Sequence, residues 1–578
     1  MMMLGAKQQV MADVDVRRPS SHGRPRHASL RGPELHAPRP RRHLPLWLYD
    51  QDPSPASSRA ASPTSSVRFI PPTSAPHTPS TAARRLVKHY PLILTLAATT
   101  LIKILVGLGT YSGQGAPPMY GDFEAQRHWM EITLHLAPRE WYWYELEWWG
   151  LDYPPLTAYV SWLCGFVGDK IDSRWFALDA SRGMESEHLK LFMRWTVVVL
   201  DAAVWVPAVF WWARYRPGSA SSRARSASVV TILLNPCLLL IDFGHFQYNS
   251  VMLGLTLLAA CAFVNKRYLV GAVLFALSLS FKQMALYYAP AIGIFLLATC
   301  IQIPLLFLKL AVVTTVTFLI VFAPFLTSPS QAIHRIFPFA RGLFEDKVAN
   351  FWCLTNVLIK WRLLLSVQSL VRLSTVLTVL AFLPAVILMA QAPEPRLLPY
   401  ALLTSSLAFF LFSFQVHEKT ILVPLLPALM FGTKSEWIPL FTNIAAFSMW
   451  PLLKRDGVGV QYIATLLLWN RLVGCNPFAF DSVVKILSVA VYAAAFLLHL
   501  AEFIIPAPAR YPDLWAVANV LVCTPVFFAV WAWSVKAGMQ ERWAGAPILT
   551  TKVHSRTNSL SPAAPRPKSR LSRESLLS

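Results

Sequence analysis

The chain has 578 residues, is 55% hydrophobic and only 14% charged, and its mean hydropathy is +0.44. Soluble domains carry about 25% charged residues, so a soluble globular fold is excluded. The net charge of +22 would point to nucleic acid in a soluble protein. Here it is concentrated in two tails: residues 1–89 hold fourteen Lys/Arg against five Asp/Glu, and residues 537–578 hold seven against two. Basic tails beside apolar spans report cytosolic placement next to anionic headgroups, with no nucleic acid implied.

Residues 1–85 are Pro-, Ser- and Arg-rich and read as a disordered cytosolic tail. They contain no early apolar run, so the first span, 86–109, is expected to act as the targeting signal. A large loop follows at 110–191, with twelve Asp/Glu against six Lys/Arg, the opposite bias to the tails. Further spans are expected at 192–213, 227–241, 250–264, 268–281, 285–301, 304–326, 371–391, 397–414, 419–432, 437–453, 460–473, 484–505 and 514–536. That makes about fourteen transmembrane helices in an all-α polytopic membrane domain covering 86–536, with a basic tail over 537–578. The seven cysteines are scattered with no C-x-x-C pair, which gives neither a zinc site nor a disulfide framework.

Span parity puts the large loop, Asp242–Asn249, Lys282-Gln283, the segment 327–370 and the junction Gln415–Thr420 on one face, away from the cytosolic tails. The charged residues of that face include the cations His245, Lys282, His334, Arg335, Arg341, Lys347, His417 and Lys419. Its carboxylates include Asp122, Glu124, Asp152, Asp242, Glu345, Asp346 and Glu418. Ionisable groups gathered at span ends are costly beside lipid and point to a functional site. Trp129, Trp141, Trp143, Trp148, Trp149 and Trp352 share the face, either as platforms for a carbohydrate or as an interfacial aromatic belt. Cations there suit a phosphate. Sugar together with lipid phosphate points to a transferase using a polyprenyl-phosphate sugar. A transporter of such lipids is the alternative from another class, although polar breaks near the midplane and internal repeats are missing.

The central stretch is YSGQGAPPMYGDFEAQRHW, Tyr111–Trp129, answered by WGLDYPPLTAY, Trp149–Tyr159. Turn residues lead to Asp122, where a helix is expected to start and Pro138 to end it. Asp122 is therefore either an N-cap, a role Asp commonly fills, or a reactive carboxylate at the mouth of a membrane site. Asp152 is open to the same choice, as a cap of a second short helix. His245 and His417 can be structural histidines, and Lys282 a snorkelling lysine. No Walker A, Rossmann, G-x-S-x-G or metal-ligand pattern is present, so no cofactor and no metal are expected.

These blocks resemble the endoplasmic-reticulum glucosyltransferases that use dolichyl-phosphate glucose. The resemblance continues through SRGMESEHLKLFMRW (181–195), LLIDFGHFQYNSVMLG (239–254), FKQMALYYAP (281–290), IFPFARGLFEDKVANFWC (336–353) and FQVHEKTILVPLLP (414–427). It covers about residue 86 to 536 and is closest to the member that adds the first glucose, with the second-glucose sibling as the alternative. The resemblance implies a GT-C-type fold in the endoplasmic-reticulum membrane with a luminal active site. It implies dolichyl-phosphate glucose as donor and a dolichyl-pyrophosphate-linked high-mannose oligosaccharide as acceptor. The family's catalytic base falls on Asp122, and His417 matches residues near the donor phosphate. Glu124, Arg127, Asp152, His245, Lys282, Arg341, His417 and Lys419 form the expected substrate-binding set.

Overall fold

A computed structural model describes residues 91–544 apart from 145, 216–221, 338–346, 415, 433–434, 475 and 477–479. The tail 1–85 and Arg341, Glu345 and Asp346 lie outside the described residues. No strand occurs among those described, and helices stand at all fourteen expected positions. Eight of them are long and apolar enough to cross a membrane, and four more are apolar but only 10–17 residues long. The other two explain themselves locally. The expected span 419–432 is a short 3₁₀ turn, Glu418–Ile421, followed by the nine-residue helix Leu422–Met430, where Pro424 and Pro427 remove backbone donors. The expected span 460–473 is the helix Gly459–Val473, which carries Gln461, Asn470 and Arg471. The last helix runs past the expected end, from Leu514 to Ala544.

Burial sorts the helices. In the central one, Arg225–Phe246, 89% of the span is buried inside the protein, whereas Val483–Ile504 is only 6% buried and faces outward. The central helix ends in a π-helical stretch, Leu239–Phe246, and Asn249–Val264 follows at once. Asp242 ties this junction together. Its carboxylate accepts the Asn249 backbone and side-chain N–H groups at 3.1 and 2.9 Å and the Ser250 N–H at 2.6 Å. It thereby satisfies N–H groups that a helix start leaves without partners.

The large loop folds as its own layer, with helices Asp122–His135 and Pro155–Asp169. Ala125, Trp129, Ile132, Trp141 and Tyr142 pack with Leu151, Ala158, Phe325, Ala332 and Ile336, joining the loop to the segment after Pro304–Phe322. Trp129, Trp141 and Trp352 are core residues and cannot stack on a sugar; of the six tryptophans considered, Trp143 is exposed and Trp148 and Trp149 are half-buried. Arg127 is the buried hub of the layer. Its guanidinium holds Glu124 at 2.6 and 2.7 Å, Glu131 at 2.8 Å, Ser181 Oγ at 2.6 Å and the Trp175 carbonyl at 3.1 Å. Removing one member of such a buried set costs about 3–5 kcal/mol, because the remaining charge is left unpaired in low dielectric.

Candidate functional site

The helix Asp122–His135 begins where expected, but Asp122 does not cap it. Gly121 is the N-cap residue and no side chain makes the cap bond. The Asp122 backbone N–H donates instead to Ser112 Oγ at 3.1 Å. This contact needs two glycines. Gly113 has φ +75°, and a Cβ there would stand 2.0 Å from the Gly121 nitrogen. A Cβ on Gly121 would stand 2.6 Å from the Ser112 carbonyl carbon. The strand of loop before the helix is therefore pressed against its first turn, and the carboxylate is turned away from the helix end.

That carboxylate meets three residues from distant parts of the chain. Asp122 Oδ2 lies 3.1 Å from His245 Nε2 and accepts hydrogen bonds from Gln247 Nε2 and Lys419 Nζ. Among the described residues nothing donates to Oδ1, and the side chain keeps 21% exposure. Burial by itself raises the Asp122 carboxyl, but the Lys419 charge, then His245, outweigh it and hold the group well below the usual carboxylate range. Asp122 is thus an ionised carboxylate with one oxygen clamped and the other open.

Each clamp is itself oriented. His245 Nδ1 lies 2.6 Å from Asp456 Oδ2; a carboxylate only accepts, so Nδ1 carries its proton toward Asp456 and the ring is fixed. Gln247 Oε1 accepts from Lys282 Nζ at 3.2 Å, which leaves its amide N–H₂ facing Asp122. Lys282 also donates to Asn249 Oδ1 at 2.7 Å and is 2% exposed. Phe246 stands between the two clamps with φ +91°, a conformation rarely adopted by a bulky residue, and its ring packs on Phe123 at 4.9 Å. Strain of this kind, of the order of 1–3 kcal/mol, persists where the surroundings over-determine it and recurs at functional sites. Arg194 binds the Thr110 and Gly244 carbonyls at 2.9 and 2.8 Å, and Thr110 Oγ1 donates to the Asp456 carbonyl. The start of the large loop, the end of the central helix and the Asp456 turn are so tied into one end of the bundle.

Of the expected substrate-binding residues, the structure brings His245 and Lys419 to Asp122 and sets Lys282 one residue behind. Asp152 is half-buried and within electrostatic reach of Lys282, and the helix after it starts at Pro155 with Pro154 as its N-cap residue, so Asp152 is not the cap. His417 is the N-cap residue of the Glu418–Ile421 turn that carries Lys419. Glu124 and Arg127 are not brought to the site: both are buried and bound to each other inside the loop layer. Sequence reasoning missed Gln247 and Asp456. Gln247 lies within a motif that was read for its charges alone. The junction 454–459, KRDGVG, falls by span parity on the same face as the large loop, and that was the available signal for Asp456.

Among the described residues no group of His, Cys, Asp and Glu is arranged to hold a metal ion. A clamped carboxylate beside a lysine ammonium stands at one end of a bundle of apolar helices, eight of them long and apolar enough to cross a membrane, which defines a polytopic membrane protein. A family model described as the ALG6, ALG8 glycosyltransferase family matches residues 99–534, and the chain belongs to that family. It is 44% identical over 494 residues to the dolichyl pyrophosphate Man9GlcNAc2 alpha-1,3-glucosyltransferase of Saccharomyces cerevisiae, covering 77% of this chain and 90% of that one. The protein of the same name from Rattus norvegicus is 42% identical over 394 residues, 65% of this chain and 76% of that one. Among solved structures, ArnT from Cupriavidus metallidurans bound to undecaprenyl phosphate covers 79% of each chain at 12% identity with a TM-score of 0.35, too distant a likeness to carry an argument.

Proposed function

We propose that this protein transfers glucose, with inversion, from dolichyl-phosphate glucose to the terminal mannose of the dolichyl-pyrophosphate-linked Man9GlcNAc2 oligosaccharide, forming its first α-1,3-glucose linkage. The relatives' names support the acceptor and the linkage. The acceptor they name carries no glucose, which favours the first addition over the second. The acidic large loop between basic tails supports a luminal site in the endoplasmic-reticulum membrane.

The observation that carries the chemistry is Asp122, clamped at Oδ2 and open at Oδ1. The mannose 3-hydroxyl attacks the anomeric carbon of the β-linked donor. Its proton passes to Asp122 Oδ1, the new C–O bond forms, and the bond to the dolichyl phosphate breaks with the electron pair leaving on the phosphate. Lys419 has a second part in this step. A lysine paired with the base weakens it, yet its ammonium, on a four-carbon stem with rotatable bonds, is 17% exposed and attracted to any phosphate that arrives. Donor binding draws Lys419 from Asp122 to the phosphate, with His417 on the same turn, and so strengthens the base only when there is something to transfer. Asp456 and Lys282 are positioning residues, acting through His245 and Gln247.

The test offers purified protein two donors and two acceptors. Transfer is expected with dolichyl-phosphate glucose onto Man9GlcNAc2-bearing lipid. Transfer only from dolichyl-phosphate mannose overturns the donor assignment, and transfer only onto the already monoglucosylated acceptor assigns the chain to the second addition. A separate measurement checks the orienting chain. Asp456→Asn keeps shape and burial but loses the carboxylate on His245 Nδ1; turnover is expected to fall about tenfold, the equivalent of one charge-assisted hydrogen bond. The donor KM should not move. Unchanged turnover in well-folded protein removes Asp456 from the machinery.

A further inference from the structure

A cavity of about 90 Å³ opens between the first apolar helix and the helix that leaves the large loop, away from Asp122. Lys103, Lys190, Arg194 and Glu187 contribute its polar lining, and Leu108, Leu191 and Trp195 stand at its rim. The three rim residues are 62%, 54% and 47% exposed, so in a membrane the mouth faces lipid tails. Both helices meet the large loop here, so the cavity lies at headgroup depth on the loop side of the bilayer.

Its charges do not balance. Lys103 is neutralised by a buried ion pair with Asp201. Lys190 lies 3.5 Å from Glu187, whose side chain is 80% exposed. Arg194 is left over. It is 7% exposed, and only Nη2 is bound, to two backbone carbonyls, while Nε and Nη1 have no partner. The guanidinium stands 5.8 Å from the Phe246 ring and within electrostatic reach of Asp456, but no carboxylate bonds it; a buried guanidinium with two nitrogens unbonded beside hydrocarbon is disfavoured, and an anion with several acceptor oxygens relieves it. Arginine's planar fork suits a phosphate, and the apolar rim suits a chain attached to it.

We infer that this cavity binds the phosphate of an anionic phospholipid from the loop-side leaflet, held by Arg194 and Lys190, with its acyl chain along Leu108, Leu191 and Trp195. The assignment stands apart from which sugar Asp122 transfers. A lipid seated there would brace the contacts of Arg194 with Thr110 and Gly244, and so the frame of the site.

Native mass spectrometry of the full-length chain in neutral detergent tests this, with phosphatidic acid as the probe. A one-to-one adduct is expected that phosphatidylcholine does not match and that inorganic phosphate alone does not displace. Lys190→Gln should weaken it about tenfold through loss of one charge-assisted contact. Gly107→Leu removes no charge: a Cβ there points at Arg194 Cδ and Nε, 3.5 and 3.8 Å away, so a larger side chain fills the cavity. It should abolish the adduct while Lys103, Lys190 and Arg194 all remain. An adduct of undiminished strength in both variants overturns the site. Equal binding of phosphatidylcholine, displacement by inorganic phosphate, or preference for dolichyl phosphate overturns the assignment to an anionic phospholipid.

Discussion

Asp122→Asn is expected to transfer glucose about a hundredfold or more slowly than the wild type while binding the donor no more weakly. The size follows from loss of general-base catalysis, which typically costs 10²–10⁴-fold. The substitution separates reactivity from architecture unusually well at this position. Asp122 makes no cap bond, so helix stability is not at stake. Asn can turn its carbonyl oxygen to the donors on Gln247 and Lys419 and keep the clamp, but its amide then stands where Oδ1 was and cannot accept a proton. Lys419 loses its counter-charge and is released toward the donor phosphate, so the donor KM should hold or fall while turnover collapses. Steady-state kinetics on purified, correctly inserted protein decides it. Near-wild-type turnover would take Asp122 out of the mechanism, and a raised donor KM with normal turnover would make it a binding residue.

Lys419→Ala should lower kcat/KM for the donor about 10²-fold, as expected when one preorganised contact to a charged leaving group is removed. Two effects oppose each other in this variant. Without Lys419 the Asp122 carboxyl loses the largest influence that lowers it, burial pushes it up, and the base becomes stronger. Brønsted dependence makes that gain less than tenfold per pKa unit, so loss of the phosphate contact prevails. The pH profile carries the sign. In the wild type Asp122 loses its charge only as pH falls below the usual carboxylate range, so the acid limb of kcat/KM, which reports the free enzyme, should lie low. The acid limb of kcat should lie higher, because bound donor has drawn Lys419 away. In Lys419→Ala the two limbs should coincide at the higher value. Limbs that stay where they are in the wild type would mean that Lys419 does not move between Asp122 and the phosphate.

How much of this was legible in the chain varies with the distance over which a signal acts. Helices stand at all fourteen positions read from runs of apolar residues, because backbone groups in lipid must be satisfied within their own segment. The start of the Asp122 helix and its end before Pro138 were legible for the same local reason. Asp122 itself was marked by its turn-rich approach. Its setting was not, since a cap and a clamped carboxylate look alike in one dimension. Glu124 and Arg127 show the reverse case. Charged residues beside a membrane suggest a substrate, yet a loop layer this large needs a polar hub of its own, and these two supply it. Two of the loop tryptophans likewise serve packing: Trp129 and Trp141 are where the layer packs on Phe325 and its neighbours.

The amino-acid sequence alone determined the apolar spans, the polar loop between basic tails and the face on which ionisable residues gather, because each depends on composition or period within a single segment. Only the tertiary structure decided which of those residues meet. Asp122, His245, Lys419 and Asp456 are separated by up to 334 positions (456 minus 122), and no periodicity couples residues so far apart. What joins them is packing. The π-helical end of a buried central helix, a left-handed Phe246 and two glycines pressed against the Asp122 turn bring four chain segments to one point. There, the charge of Lys419, then that of His245, outweighs burial and leaves Asp122 an ionised carboxylate with one open oxygen.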